Sequence, residues 1–252
     1  MELARRGCEV VLADLQSDLA QANAREISAE GGAALAAGVD VTDFNAIQEL
    51  IAQTHERTGR IDYLFNNAGI NLFGHLEHYQ IEDWHQLLHV NLMGVVNGVQ
   101  AVYRIMKTQG FGHIINTASL GGLIPNPGMV AYATAKHGVV GLTNSLRAEG
   151  ARLGIRASLL CPGFVNTPML NQGGEYGKSL IDLSSKQKQT LQSMLKRFNP
   201  ILPGVFASKA LDTIGLHQII HIKCMKVDAG LAYPPLTHYL EPLLGDECAF
   251  SG

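Results

Sequence analysis

Short apolar, β-branched runs alternate along the chain with longer stretches whose apolar residues recur at helical spacing. That alternation predicts βαβ units and an α/β fold, a Rossmann-like doubly wound parallel sheet. Residues 8–13, 33–39, 61–65, 112–118 and 156–160 read as strands, with 219–222 as a last one. Helices are predicted over about 18–30, 43–58, 81–109, 129–153 and 206–214. The opening Met1-Glu-Leu-Ala-Arg-Arg reads as a helix tail stopped by Gly7. A length of 252 residues suits one such domain, 1–252. Within it, 169–200 reads as a polar, variable substrate lid, and the 232–252 tail carries no recognisable pattern.

The ends of the predicted strands carry the polar residues. Asp14, Asp40, Asn67, Ser119 and Pro162-Gly163 follow successive strands. In an open parallel sheet, ligands bind beyond the carboxyl ends of the strands. Aspartate and asparagine also start turns and cap helices, but the ordered set argues for a site. Within it, Tyr132 and Lys136 stand at i and i+4, on one helix face. A phenol titrates near 10, and a neighbouring ammonium lowers that by about 1–3. Ser119 can then hold a substrate oxygen while Tyr132 passes the proton. This is the chemistry of hydride transfer to or from a carbonyl.

Composition narrows the classes. Hydrophobic residues at 46% and charged residues at 16% describe a globular chain with an ample core. A net charge of −3 gives no electrostatic case for nucleic acid or an anionic membrane. No apolar run is long enough to span a bilayer. Arg5-Arg6 precede only a short apolar strand, so no signal peptide is expected. Cys8, Cys161, Cys224 and Cys248 are scattered and read as reduced thiols of a cytoplasmic protein. His85/His89 and His217/His221 have i,i+4 spacing, but neither pair has the H-E-x-x-H glutamate or an evident third ligand. No metal site is expected.

Asn67-Ala68-Gly69, Asn91 in His-Val-Asn-Leu, Ser119, Tyr132-x-x-x-Lys136 and Pro162-Gly163-Phe-Val165-Asn-Thr167 occur in this order. On these motifs, residues 1 to about 168 resemble a short-chain dehydrogenase/reductase of the single-domain type. The resemblance implies that Ser119 positions the substrate oxygen and Tyr132 is the acid/base. It implies that Lys136 tunes the tyrosine and holds the nicotinamide ribose, and that Asn91 holds a water of the proton relay. Asp14 would bind the adenosine ribose and favour NAD over NADP. Asp40 and Val41 would meet the adenine edge, and Asn67, Ala68 and Gly69 would flank the adenosine side. Pro162, Gly163, Val165 and Thr167 would grip the carboxamide. The substrate implied is a small secondary alcohol or ketone, and the assembly a homodimer or homotetramer through the helices of Asn91 and Tyr132. Ala131, Ala133, Ala135, Gly138 and Gly141 offer small surfaces for that contact.

The family's first strand and glycine-rich phosphate loop have no counterpart here. They are expected to precede Met1, which makes the chain a truncated form with a gap at the sheet centre. Two other readings stay open. One is an inactive fragment that keeps only the oligomer surface. The other is an NADP-dependent carbonyl or acyl-thioester reductase, which Asp14 opposes.

Overall fold

The computed structural model describes residues 1–167, 177–181 and 200–214, with isolated positions 169, 189 and 193. A short helix α1 (Glu2–Arg5) leads into β1 (Val10–Asp14), then α2 (Ser17–Ala29), β2 (Ala34–Gly38) and α3 (Phe44–Thr58). Next come β3 (Tyr63–Asn66), β4 (Asn71–Phe73), α4 (Ile81–Leu88), α5 (Gly94–Gln109) and β5 (Gly112–Thr117). The chain continues through α6 (Val130–Gly150), β6 (Ile155–Leu160), β7 (Gly177–Ser179) and α7 (Pro203–Ile214). The strand expected at 219–222 lies outside the described residues, as does the 232–252 tail.

Among the described residues the strands form three parallel sheets: β1-β2, β3-β5-β6 and β4-β7. Alternation across the pleat sets the layers of the central one. Ile114 of β5 and Leu159 of β6 point into a core filled by Ile47, Ile51, Val95, Val99, Val102, Met106, Val139 and Leu146 of α3, α5 and α6. Their neighbours Ile115 and Leu160 point the other way, onto Phe206, Ala210 and Leu211 of α7. Strands buried on both faces read as continuous apolar runs, which is how the sequence exposes them. Side chains such as Val102, Met106 and Ile114 have no accessible surface, and each contributes roughly 1.5–3 kcal/mol by leaving water.

Helix ends follow local chemistry. Asp43 caps α3 by accepting from the amides of Asn45 and Ala46 at 2.9 and 3.1 Å. Gly59 and Gly110 end α3 and α5 at φ 74°, where a side chain would be strained.

Two expectations change. The single helix over 81–109 is instead α4, a wide π turn (His89–Met93) and α5. The cause is Asn91: its amide leaves the helix and pairs with Ile70, and the widened turn accommodates this. The stretch expected to form a lid contributes a strand, since β7 pairs in parallel with β4 and Leu180 donates its N–H to the Phe73 carbonyl at 2.8 Å.

The main sheet stands in two pieces. No described strand pairs with the second edge of β1 or of β3. The β1-β2 piece is attached at its periphery. Val39, Val41 and Phe44 pack on the central core, Asn97 donates to the Val41 carbonyl at 2.9 Å, and Arg57 pairs with Glu9 and Arg6 with Asp212. Both pairs are exposed, and screening by water leaves them only a small share of the attachment.

Candidate active site

The residues after β3, β5 and β6 meet α6. Ser119 ends the β5 segment in extended conformation, and its hydroxyl accepts from the Gly121 amide at 3.2 Å. Tyr132, in the first turn of α6, faces Ser119, whose hydroxyl favours the phenolate. Lys136 follows one turn later and is 4% exposed. Its Nζ donates to the Thr117 carbonyl at 2.8 Å and lies 5.7 Å from the centre of the Tyr132 ring. A Cβ at Gly69 would sit 3.7 Å from that Nζ and 3.4 Å from Asn91 Oδ1. The missing side chain therefore keeps the space in front of the lysine open. Asn67 accepts from the Thr117 hydroxyl at 3.1 Å, and Leu120 donates to the Pro162 carbonyl at 2.9 Å. Gly163 and Thr167 are half-buried in the same loop, and Val165 bridges to Ile201.

Electrostatics depart from the expectation in one respect. Burial pushes the Tyr132 phenol above its ordinary range, and the Ser119 hydrogen bond only opposes it. Burial also draws Lys136 from 10.5 down to about 8, with Cys161 pulling the other way. Desolvation thus outweighs the ammonium's pull on the tyrosine, because the lysine lies buried with its Nζ on a backbone carbonyl. Asn91 is equally redirected. Its Oδ1 accepts from the Ile70 N–H and its Nδ2 donates to the Ile70 carbonyl, both at 2.8 Å. The side chain locks the loop after Gly69 to the π turn.

Asp14 and Asp40 belong to the other sheet piece. Asp14 is the last residue of β1, exposed, with Oδ1 accepting from the Gln16 amide at 2.9 Å. Asp40 is exposed, and its Oδ1 accepts from the Thr42 amide and hydroxyl at 2.8 Å. Val41 packs against Gly94, where a Cβ would lie 2.8 Å from Val41 Cγ2. Ala68 is exposed. The structure therefore gathers Asn67, Gly69, Asn91, Ser119, Tyr132, Lys136 and Pro162 at the central sheet, and places Asp14, Asp40 and Val41 at the end of the adjoining pair.

Three contributors were not legible in the sequence. Thr117 and Ile70 act through backbone atoms, which leave no residue signature. Cys161 is buried beside Lys136 with its sulfur on the Ser119 amide, and its thiol is pushed up to about 11 by burial. A scattered cysteine gives no hint of such a place. Among the described residues no cluster of three metal-ligating side chains occurs. His85 and His89 are exposed, and His217 and His221 lie outside the described residues, as do Cys224 and Cys248. No described helix is long and apolar enough to cross a membrane.

The donor set fits the two ends of a nicotinamide dinucleotide. The buried Lys136 ammonium behind Gly69 would suit one end, and the Asp14 carboxylate at a strand terminus would suit the other. The diphosphate between them has no glycine-rich turn into a helix among the described residues.

Comparison with known proteins gives a consistent picture. Residues 1–176 match the sequence model of the family described as short chain dehydrogenase. An uncharacterized oxidoreductase, YxjF, of Bacillus subtilis is 36% identical over 203 residues, 80% of this chain and 77% of that protein. A short chain dehydrogenase/reductase of Burkholderia phymatum, solved in complex with NAD, is similar at 30% identity and TM-score 0.77, covering 86% of this chain and 80% of that one. A gluconate 5-dehydrogenase of Burkholderia cenocepacia, solved with NADP and tartrate, is similar at 38% identity and TM-score 0.64, covering 68% and 67%.

Proposed function

Because the chain belongs to the short-chain dehydrogenase family, we propose that it is an oxidoreductase that interconverts a small secondary alcohol and a ketone with NAD. The observation that carries this reading is the convergence of Ser119, Tyr132 and Lys136, with the serine beside the phenol and the lysine buried behind it. When bound, NAD accepts or supplies the hydride at the substrate carbon. Ser119 orients the substrate oxygen, and Tyr132 exchanges a proton with it. Lys136 spends one of its donors on Thr117, which leaves others for the ribose and the tyrosine. Burial that keeps the phenol protonated suits proton donation to a ketone at neutral pH. Alcohol oxidation needs the phenolate and rises with pH.

NAD is the preferred cofactor on account of Asp14. A carboxylate at that strand end accepts from ribose hydroxyls and repels a 2′-phosphate. An NADP-dependent carbonyl reductase is the second reading, favoured by the NADP bound to the Burkholderia cenocepacia relative. Pairing of α5 and α6 between copies would give a homodimer or homotetramer, and Gly141, with nothing within 4 Å of a Cβ placed there, leaves room for it. The protein would act in the cytoplasm, without nucleic-acid or membrane partners. The test is NADH formation from a panel of secondary alcohols, with Tyr132→Phe alongside. Turnover should vanish in the variant while its melting curve persists. Substantial turnover by Tyr132→Phe would remove the tyrosine from its assigned role.

A further inference from the structure

Beneath the acid/base runs a second line of side-chain bonds. Asn116, the β5 residue just before Thr117, donates from Nδ2 to the Thr143 hydroxyl of α6 at 3.0 Å. Its Oδ1 accepts from Asn66 Nδ2 of β3 at 2.8 Å, and Asn66 and Asn116 are partners in the parallel ladder. Thr143 donates in turn to the Val139 carbonyl at 2.7 Å. Asn116 and Thr143 have no accessible surface. A hydroxyl carries one proton, and this one goes to Val139, so toward Asn116 it can only accept. The amide must therefore present its NH2 group to α6 and its oxygen to β3, and a single orientation is fixed.

This line repeats, one residue lower, the order of the bonds at the site. There Lys136 Nζ of α6 donates to the Thr117 carbonyl of β5 at 2.8 Å, and the Thr117 hydroxyl donates to Asn67, just after β3, at 3.1 Å. Lys136 and Thr143 are seven residues apart, about two helical turns, so both lie on the buried face of α6. Val139 and Leu146 of that face hold the helix on the sheet by apolar contact, which has no direction. The buried polar line does have one. A slip of α6 along β5 would strand the Asn116 amide without its acceptor, which is costly out of water. On the far side α5 closes against the line, since a Cβ at Gly98 would fall 2.1 Å from Asn66 Oδ1. The place of Lys136 Nζ, 5.7 Å from the centre of the Tyr132 ring and behind the space that Gly69 keeps open, depends on where α6 lies along β5.

We propose that Thr143 is a positioning residue for the reaction: through Asn116 it fixes α6 against β5, and so sets the reach of Lys136 toward Thr117 and Tyr132. Wholly buried, it acts only through these partners. The inference rests on the dehydrogenase reading and adds to it a residue two turns below the site.

The experiment assays the full chain as wild type, Thr143→Val, Thr143→Ala, Thr143→Ser and Ile51→Val. NAD is the oxidant and isopropanol, 2-butanol or cyclohexanol the substrate, at a temperature below the onset of melting of every variant. Valine keeps the shape of threonine without its hydroxyl, and alanine removes the hydroxyl without a branched side chain. Both should lower kcat about tenfold or more, as a small misplacement of a reacting group does, with KM for the alcohol held within about threefold. Thr143→Ser, which keeps the hydroxyl, should recover most of kcat. Ile51→Val, a truncation in the core on α3, should lower the melting temperature and leave kcat unchanged. A kcat within about twofold of wild type in Thr143→Val and Thr143→Ala, or a loss in Ile51→Val as large as theirs, would overturn this proposal alone. Turnover of none of the alcohols by the wild type would overturn the dehydrogenase reading, and this proposal with it.

Discussion

Replacing Lys136 by methionine should leave a protein that is inactive and yet no less stable near neutral pH. The buried ammonium titrates at about 8 in place of 10.5. At about 1.4 kcal/mol for each tenfold change, the folded state bears a charging cost of roughly 3 kcal/mol. The sign follows from proton counting. Between about 8 and 10.5 the unfolded lysine keeps a proton that the folded one has lost, so stability rises with pH across that window. Below about 8 the cost is full, and above 10.5 it is gone. Methionine, of similar length and no charge, removes the cost but forfeits the 2.8 Å bond to the Thr117 carbonyl. Leaving that acceptor unpaired costs about 1–3 kcal/mol. Near pH 7 the variant should match the wild type or exceed it by up to about 2 kcal/mol, and near pH 10.5 it should fall below it by about 1–3 kcal/mol. Cys161 works in the opposite sense. Its thiol is raised to about 11, so its contribution is full below its ordinary value and is lost as pH rises through about 11. Each group acts on the other's charge, so the thiol cancels in the difference only below its ordinary value, where it is protonated in both proteins. Urea unfolding of the pair at successive pH values measures that difference directly. Two parallel profiles, with a gap that does not change with pH, would refute the buried-charge account of Lys136.

Gly98→Ala should destabilise by about 2–5 kcal/mol, combining overpacking with a broken buried hydrogen bond. Its Cβ would fall 2.1 Å from Asn66 Oδ1, and Asn66 donates to Asn116 at 2.8 Å. Gly141→Ala on α6, with open space around it, should cost nothing in the folded subunit, so equal melting temperatures for the two variants would contradict the geometry at Gly98. Asp14→Ala should weaken NAD binding and relax discrimination against NADP, since a ribose acceptor and a repulsive charge leave together. A fluorescence titration in which the wild type prefers NADPH would reverse the assignment of Asp14.

Much of this arrangement was legible because it lies in side-chain identity and period. The strand ends and the i,i+4 pair are local signals, and the five strands expected among the described residues fall in place to within two residues. The strand β1 illustrates the slack: residues 8–13 were expected and Val10–Asp14 observed, which puts Asp14 inside the ladder. The break in the 81–109 helix could not be read. It depends on Asn91 finding Ile70, twenty-one residues away, and a helix-period pattern runs through it unchanged. The raised phenol of Tyr132 is likewise a property of burial. Sequence shows that an ammonium is near but not how far the phenol is desolvated, and here desolvation wins. The pairing of β7 with β4 joins Asn71–Phe73 to a segment over a hundred residues later, in a stretch whose composition suggests only a polar loop.

The divided sheet has a further meaning for how the molecule opens. Backbone hydrogen bonds tie β3, β5 and β6 into one cooperative block, while α1, β1, α2 and β2 are joined to that block mainly by surface ion pairs and a rim of apolar contacts. Such a unit unfolds locally at a lower free energy than the whole. The amide protons of Val11 and Leu12 therefore exchange with solvent through partial opening, well before those of Ile114 and Ile115. Asp14 rides on the mobile unit and Lys136 on the fixed one. A dinucleotide that reached both would act as a tether across the break, with part of its binding energy consumed in holding the two units together.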